Sequence, residues 1–359
     1  MSVMVDDPNI RGNGVLGVAL RVVLISIVAI IGWNIALPGL DASFMAARTA
    51  DGVPSQLSVL ALGVGPVLTA FALGQIIRLL VPRSNGSFAL HVGENAVALL
   101  LAVSQAYAIA KAMSAMGLLV GDGYLAWAGF VASLIGGTAV LLFLSQQVVL
   151  PSLVAGFWIL WLLPALIDLP AQFSLSFDLL RTGAVAGSQL LLTMVIVIIA
   201  FALAISATRM VMTSQNRFAP TKITMSVFLL NIVVWPPLLA ASAGSYVLTP
   251  LAFLWPDSLP DGQWIRIYVL AMTALLIPVF VFGYRRFFSH NGMMLPATTA
   301  LMLIAVQIAL VLGGALVSGH LVLPLPLSGT TILVLVGVAY GLIDVMRKPV
   351  ETAATGNAA

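Results

Sequence analysis

"LALGVGPVLTAFALGQIIRLLVP", residues 60–82, is apolar for about 20 residues, enough to cross a bilayer core of ~30 Å. Yet it contains Gly63, Gly65, Pro66 and Gly74, and a lone hydroxyl at Thr69. Glycine and proline weaken a helix interior. A span built only to sit in lipid has no use for them. The reason for their presence bears directly on what the chain does.

The rest of the sequence extends the membrane reading. Hydrophobic residues make up 61% of 359 and charged residues only 8%, against about 25% charged in a soluble domain. The net charge of +3 is small, and no basic run points to nucleic acid. There is no cysteine, which excludes disulfides and cysteine metal sites. The first 12 residues are polar, and the apolar stretch after them is long enough to span and lacks a clear cleavage site. The first span is therefore expected to stay in place.

A ruler of about 20 apolar residues per crossing predicts ten spans, at 16–38, 57–81, 93–114, 124–147, 152–168, 184–206, 224–244, 266–284, 294–317 and 328–346. The fifth is short and proline-flanked. Lys/Arg bias fixes the orientation. With the N-terminus inside, Arg11, Arg21, Arg78, Arg83, Arg209, Arg217, Lys222, Arg285, Arg286, Arg347 and Lys348 lie at the cytoplasmic side. Arg48, Lys111, Arg181 and Arg266 lie outside. Both termini are then cytoplasmic. Ten spans divide into two halves of five with opposite orientation, as in an inverted repeat. The expected segments are a tail at 1–15, a first half at 16–170, a second half at 171–346 and a tail at 347–359.

The second span of each half should correspond. In the second half it holds "NIVVWPPLLAAS", residues 231–242, again interrupted by proline. Paired interruptions at matching positions point to a working site in the membrane. The plainer reading is that Gly and Pro are simply common in transmembrane helices. Polar groups inside spans tend to face the protein interior, and three stand out: Thr69, Gln105 and Asn231. On neighbouring helices they could satisfy one another. Alternatively each bonds to its own helix, and for Thr69 alone that local bond is the stronger expectation.

Charges carry less. Asp168 and Asp344 fall near opposite span ends, too far apart for the shared proton of an aspartyl protease. Glu94 and Lys111 sit near span ends and are expected to snorkel toward headgroups. His91, His290 and His320 lie in or near loops and lack metal-ligand spacing. There is no P-loop, and "VGDG" at 120–123 reads as a turn. No catalytic residue, cofactor or metal site is expected, and the chain is not read as an enzyme.

At this point the residues resemble a known family. Residues 60–80 resemble the second span of the SecY family, the protein-conducting channel. "ALPGLD" at 36–41 is similar to the end of its first span and "LLLAVSQAYAIA" to its third. "GGTAVLLFLSQQVVLPSLVAGFWILWLLPALIDLP" at 136–170 is similar to its fourth and fifth, "NIVVWPPLLAAS" to its seventh, and "SGTTILVLVGVA" at 328–339 to its tenth. The resemblance implies an all-α polytopic membrane protein, with ten transmembrane helices in two inverted halves that close like a clamshell. It implies a lateral gate between spans two and seven. Gly63, Gly65, Pro66 and Pro237 would give that gate flexibility, and Thr69, Gln105 and Asn231 its polar cluster. A pore ring of Val64, Leu68, Phe157, Trp161, Pro236 and Val334 is implied by position. Phe157 and Trp161 share a helix face and are bulkier than the aliphatic side chains usual there. A narrow or closed waist follows, unless the two merely pack the bundle core.

The sequence also departs from the family. Only Asp41–Gln56 is left for a plug, so the plug is expected to be reduced or missing. Gln146 replaces the glutamate before span five. In the segment after it, "LPSLVAG", only Gly156 of the family's pattern survives. The two motor-docking loops shrink to about Arg209–Thr224 and "YRRFFSHNG". The reading is a diverged, minimal SecY relative: a translocation channel or membrane insertase of the bacterial cytoplasmic membrane. Its partners would be translocating or inserting polypeptides, membrane lipids and a SecE-like small subunit, with ribosome or SecA docking in doubt. A non-conducting membrane scaffold or chaperone is the alternative. An inverted-repeat small-solute transporter is a third reading, disfavoured by the lack of a clear mid-membrane charge.

Overall fold

The computed structural model describes residues 15–40, 58–84, 87–119, 124–148, 155–216, 224–254, 262–290, 292–320 and 327–347. Among them are ten α-helices: α1 (Val15–Trp33), α2 (Gly65–Leu80), α3 (Phe88–Ala115), α4 (Tyr124–Ser145), α5 (Ala155–Arg181), α6 (Gly187–Asn216), α7 (Thr224–Leu254), α8 (Gly262–His290), α9 (Ala297–His320) and α10 (Gly329–Arg347). The only β pairing among the described residues is two isolated bridges, Ala36 with Ser58 and Leu40 with Leu119. The architecture is all-α, one helix per expected span. Six helices, α3 to α6 with α8 and α9, are long and apolar enough to cross a membrane, and α1, α2 and α10 are shorter apolar helices.

A backbone in hydrocarbon must satisfy its polar groups internally, which favours helix throughout. The hydroxyls follow the same rule. Ser26, Ser133, Thr138, Thr193, Thr208 and Thr273 each donate to the carbonyl four residues back, at 2.6–3.2 Å. Ser328 caps α10: the Thr331 amide donates to its Oγ at 3.1 Å.

Several boundaries differ from expectation. α2 begins at Gly65 rather than near 57, because residues 58–64 form a tight turn in which Gly63 takes φ +57°. That left-handed conformation suits glycine. The fifth span is no short helix. α5 runs from Ala155 to Arg181 with Pro164 and Pro170 inside it, so exposed Asp168 lies mid-helix rather than at its end. α8 continues to His290, so most of "YRRFFSHNG" is helix and not loop. α6 likewise runs to Asn216.

The helices pack as two compact units, neither contiguous in sequence. The first comprises residues 1–64, 103–161 and 338–359. Its core is formed by Leu37, Leu40, Ala106, Ala110, Phe130 and Leu134. The turn at 58–62 is wedged into this core. The Val59 amide donates to the Ile35 carbonyl at 3.0 Å, and the Val59 carbonyl presses on Gly137 of α4, where no β-carbon would fit.

The second unit comprises residues 65–102 and 162–337. In it α7 packs against α2, α6, α8 and α9. Residues 231–240 of α7 are all buried. A helix apolar on every side is a buried helix, and this decapeptide is the centre of the unit.

Candidate functional site

The proline pair lies in that buried centre. Pro236 and Pro237 lack the N–H groups that would bond the carbonyls of Ile232 and Val233, four residues earlier. Two orphaned carbonyls result, in the most enclosed stretch of the second unit. Both are met from α9. The Gln307 carboxamide nitrogen donates to the Ile232 carbonyl at 2.9 Å and to the Val233 carbonyl at 3.0 Å. Gln307 is fully buried. Facing two carbonyl acceptors fixes which way its amide points. The reading of the sequence missed this residue, although a lone amide inside "LMLIAVQIALVLGG" was the available signal.

α2 lies against α7 in the same unit. Thr69, on α2, donates to its own helix, at 3.1 Å from the Gly65 carbonyl. Asn231, on α7, is 6% exposed. Gln105 of α3 is exposed and belongs to the first unit. Gly65 and Pro66 form the first turn of α2, where a missing N–H is tolerated. Gly63 precedes the helix, and Pro237 is buried in α7.

The polar contacts that α2 does make come from other side chains. Arg78 Nη2 lies 2.9 Å from Glu94 Oε2 and 2.7 Å from Oε1. Glu94 is 5% exposed, so it does not snorkel as the sequence suggested. An opposite charge on the adjoining helix makes burial tolerable. Gly74 provides the room, since a β-carbon there would overlap the Glu94 carboxylate. One residue on, Gln75 accepts a hydrogen bond from the Tyr284 hydroxyl of α8 at 2.9 Å. Lys111 is exposed.

The ring positions fall in both units. In the first, Phe157 is fully buried and Trp161 and Val64 partly so. Trp158 stands edge-on to both aromatics, with centroids 4.9 Å from Phe157 and 6.1 Å from Trp161. In the second, Leu68 is half-buried, while Pro236 and Val334 are buried. One turn beyond Val334, a β-carbon on Gly337 would come within 2.8 Å of Val234 Cγ2. At Gly337, α10 therefore comes close to the Val234 side chain of α7.

Where α8 gives way to α9, Arg285, Arg286, Ser289 and His290 line a shallow hollow with Met294 and Pro296. Arg285 Nε donates to the Leu295 carbonyl at 3.0 Å and holds the connection close. His91 and His290 are exposed, and the described residues hold no cluster able to bind a metal ion. The expected plug segment Asp41–Gln56, the "VGDG" turn and the side chains of His320 and Asp344 lie outside the described residues.

No protein-family profile matches the sequence, and no curated protein matches it either. Solved structures do match. Sec61 in the canine ribosome–channel complex from the endoplasmic reticulum is 13% identical, with a TM-score of 0.56 over 95% of this chain and 94% of that one. A SecY channel, described for the plug domain that stabilises its closed state and maintains a membrane seal, matches at TM-score 0.55 over the same shares and at the same 13% identity. A third protein-conducting channel matches at 0.53, again 13% identical over 95% and 94% of the two chains. The chain has the SecY/Sec61 fold over nearly its whole length.

Proposed function

We propose that this chain is a SecY-type protein translocation channel or membrane insertase, with a lateral exit between α2 and α7. The observation that carries this reading is the fold, shared over 95% of the chain with protein-conducting channels. The packing of α2 against α7 within one unit is consistent with it. An apolar segment would part these two helices and leave into lipid. The ring of Val64, Leu68, Phe157, Trp161, Pro236 and Val334 would seal the path, and Thr69, Gln105 and Asn231 would tune the seam. No covalent chemistry is involved. A SecE-like subunit would brace the fold in a bacterial cytoplasmic membrane with both termini cytoplasmic. With α6 and α8 helical to Asn216 and His290, little is left to project toward a ribosome or a SecA motor.

A second reading has its own support. Phe157 and Val334 are both fully buried, as expected of a non-conducting scaffold whose waist has become core. Photo-crosslinkable residues at Leu68, Trp161 and Val334, with controls at exposed Leu301 and Met302 of α9, separate the two. Capture of nascent polypeptides at the three positions and not at the controls supports the channel. Crosslinks only within the chain support the scaffold.

A further inference from the structure

We infer that Gln307 is the latch of a two-proline hinge in α7. A carboxamide has two N–H groups, and prolines at 236 and 237 remove two, from the helical bonds to the carbonyls of Ile232 and Val233. Gln307 donates to those same two carbonyls, at 2.9 and 3.0 Å. Its 0% exposure means that water does not compete. The helix thus runs unbroken from Thr224 to Leu254 while its ladder is completed, at two rungs, by a neighbour.

This arrangement changes what bending requires. Bending an ordinary helix breaks bonds of its own ladder. Bending α7 between Val233 and Leu238 breaks two bonds to α9, and the helix on either side keeps its own. Sharp kinks occur where proline removes the ladder, and here the kink site is held by a side chain that can let go. Gln307 is a positioning residue: it acts through the α7 backbone. The latch depends only on contacts within the second unit and stands apart from the translocation reading.

The test exploits the absence of cysteine. Spin labels go on cysteines at Tyr246 of α7 and Leu316 of α9, both exposed. Four forms are compared: the parent, Gln307→Met, Pro236→Ala/Pro237→Ala, and all three substitutions together. Methionine keeps the length and loses the donors. The alanines restore the N–H groups, so Ile232 and Val233 no longer need Gln307. Gln307→Met should broaden the label distance distribution and lower the folding equilibrium about tenfold, the scale of two interhelical hydrogen bonds in a membrane. In the alanine background the same substitution should change neither. If it acts equally in both backgrounds, or in neither, Gln307 is only packing and the latch is refuted. Should Gln307→Met alone fail to accumulate, recovery in the triple variant supports the latch and failure of both overturns it.

Discussion

Gly74 of α2 faces the Glu94 carboxylate of α3 so closely that any β-carbon would overlap it. Arg78, one turn along α2, meets the same carboxylate. Glycine within a helix is unfavourable by about 0.5–1 kcal/mol relative to alanine, so Gly74 has its place because of Glu94. Gly74→Ala should therefore destabilise the protein by about 1–3 kcal/mol, the range for overpacking, despite the gain in helix propensity. In a Glu94→Ala background the same change should be neutral or stabilising. Thermal unfolding in detergent reads both. An equal loss in the two backgrounds would show that the glycine serves something other than the carboxylate.

The Arg78–Glu94 pair makes its own prediction. Arg78→Met leaves a buried carboxylate without its counter-charge and should cost about 3–5 kcal/mol. Adding Glu94→Gln removes that charge and should recover most of the loss. If the double variant is no better than the single one, the arginine contributes by packing its stem and not by pairing.

Ten helices could be read from the sequence because apolar length is a property of the segment alone. The tight turn before α2 was less legible. Gly63 and Pro66 look alike as helix weakeners, and only the backbone shows that one precedes the helix and the other opens it. The length of α5 was missed because Pro170 reads as a boundary, whereas the helix continues through it to Arg181. Glu94 and Gln307 were misread or missed for one reason: their roles are set by partners 16 and 75 residues away. The pairing of Gln307 with a proline gap requires knowing that α9 lies against α7, which no local pattern states.

Tyr284 tests the contact between α8 and α2. Its ring is 2% exposed and its hydroxyl donates to Gln75 at 2.9 Å. Tyr284→Phe keeps the ring and removes one hydrogen bond, so a loss of about 1 kcal/mol is expected. Gln75→Leu should cost a similar amount and add little to the first change, because both remove the same bond. Additive losses in thermal unfolding would mean that the two side chains act separately.

Thr69 offers the sharpest test of the proposed polar cluster. The resemblance groups it with Gln105 and Asn231, yet its hydroxyl already has a partner in the Gly65 carbonyl, 3.1 Å away. A back-bonded threonine in a helix contributes little and can slightly destabilise it. Thr69→Val keeps the shape and deletes only that bond. It should shift stability by less than about 0.5 kcal/mol. If the hydroxyl joins the proposed seam during opening and closing, polypeptide capture by a photo-crosslinker at Leu68 should nevertheless rise. A marked rise in capture would mean that the hydroxyl leaves Gly65 during opening and closing, and so belongs to the gate despite its resting bond. No change would make Asn231 of the proposed cluster the next residue to substitute, with leucine, under the same crosslinking readout.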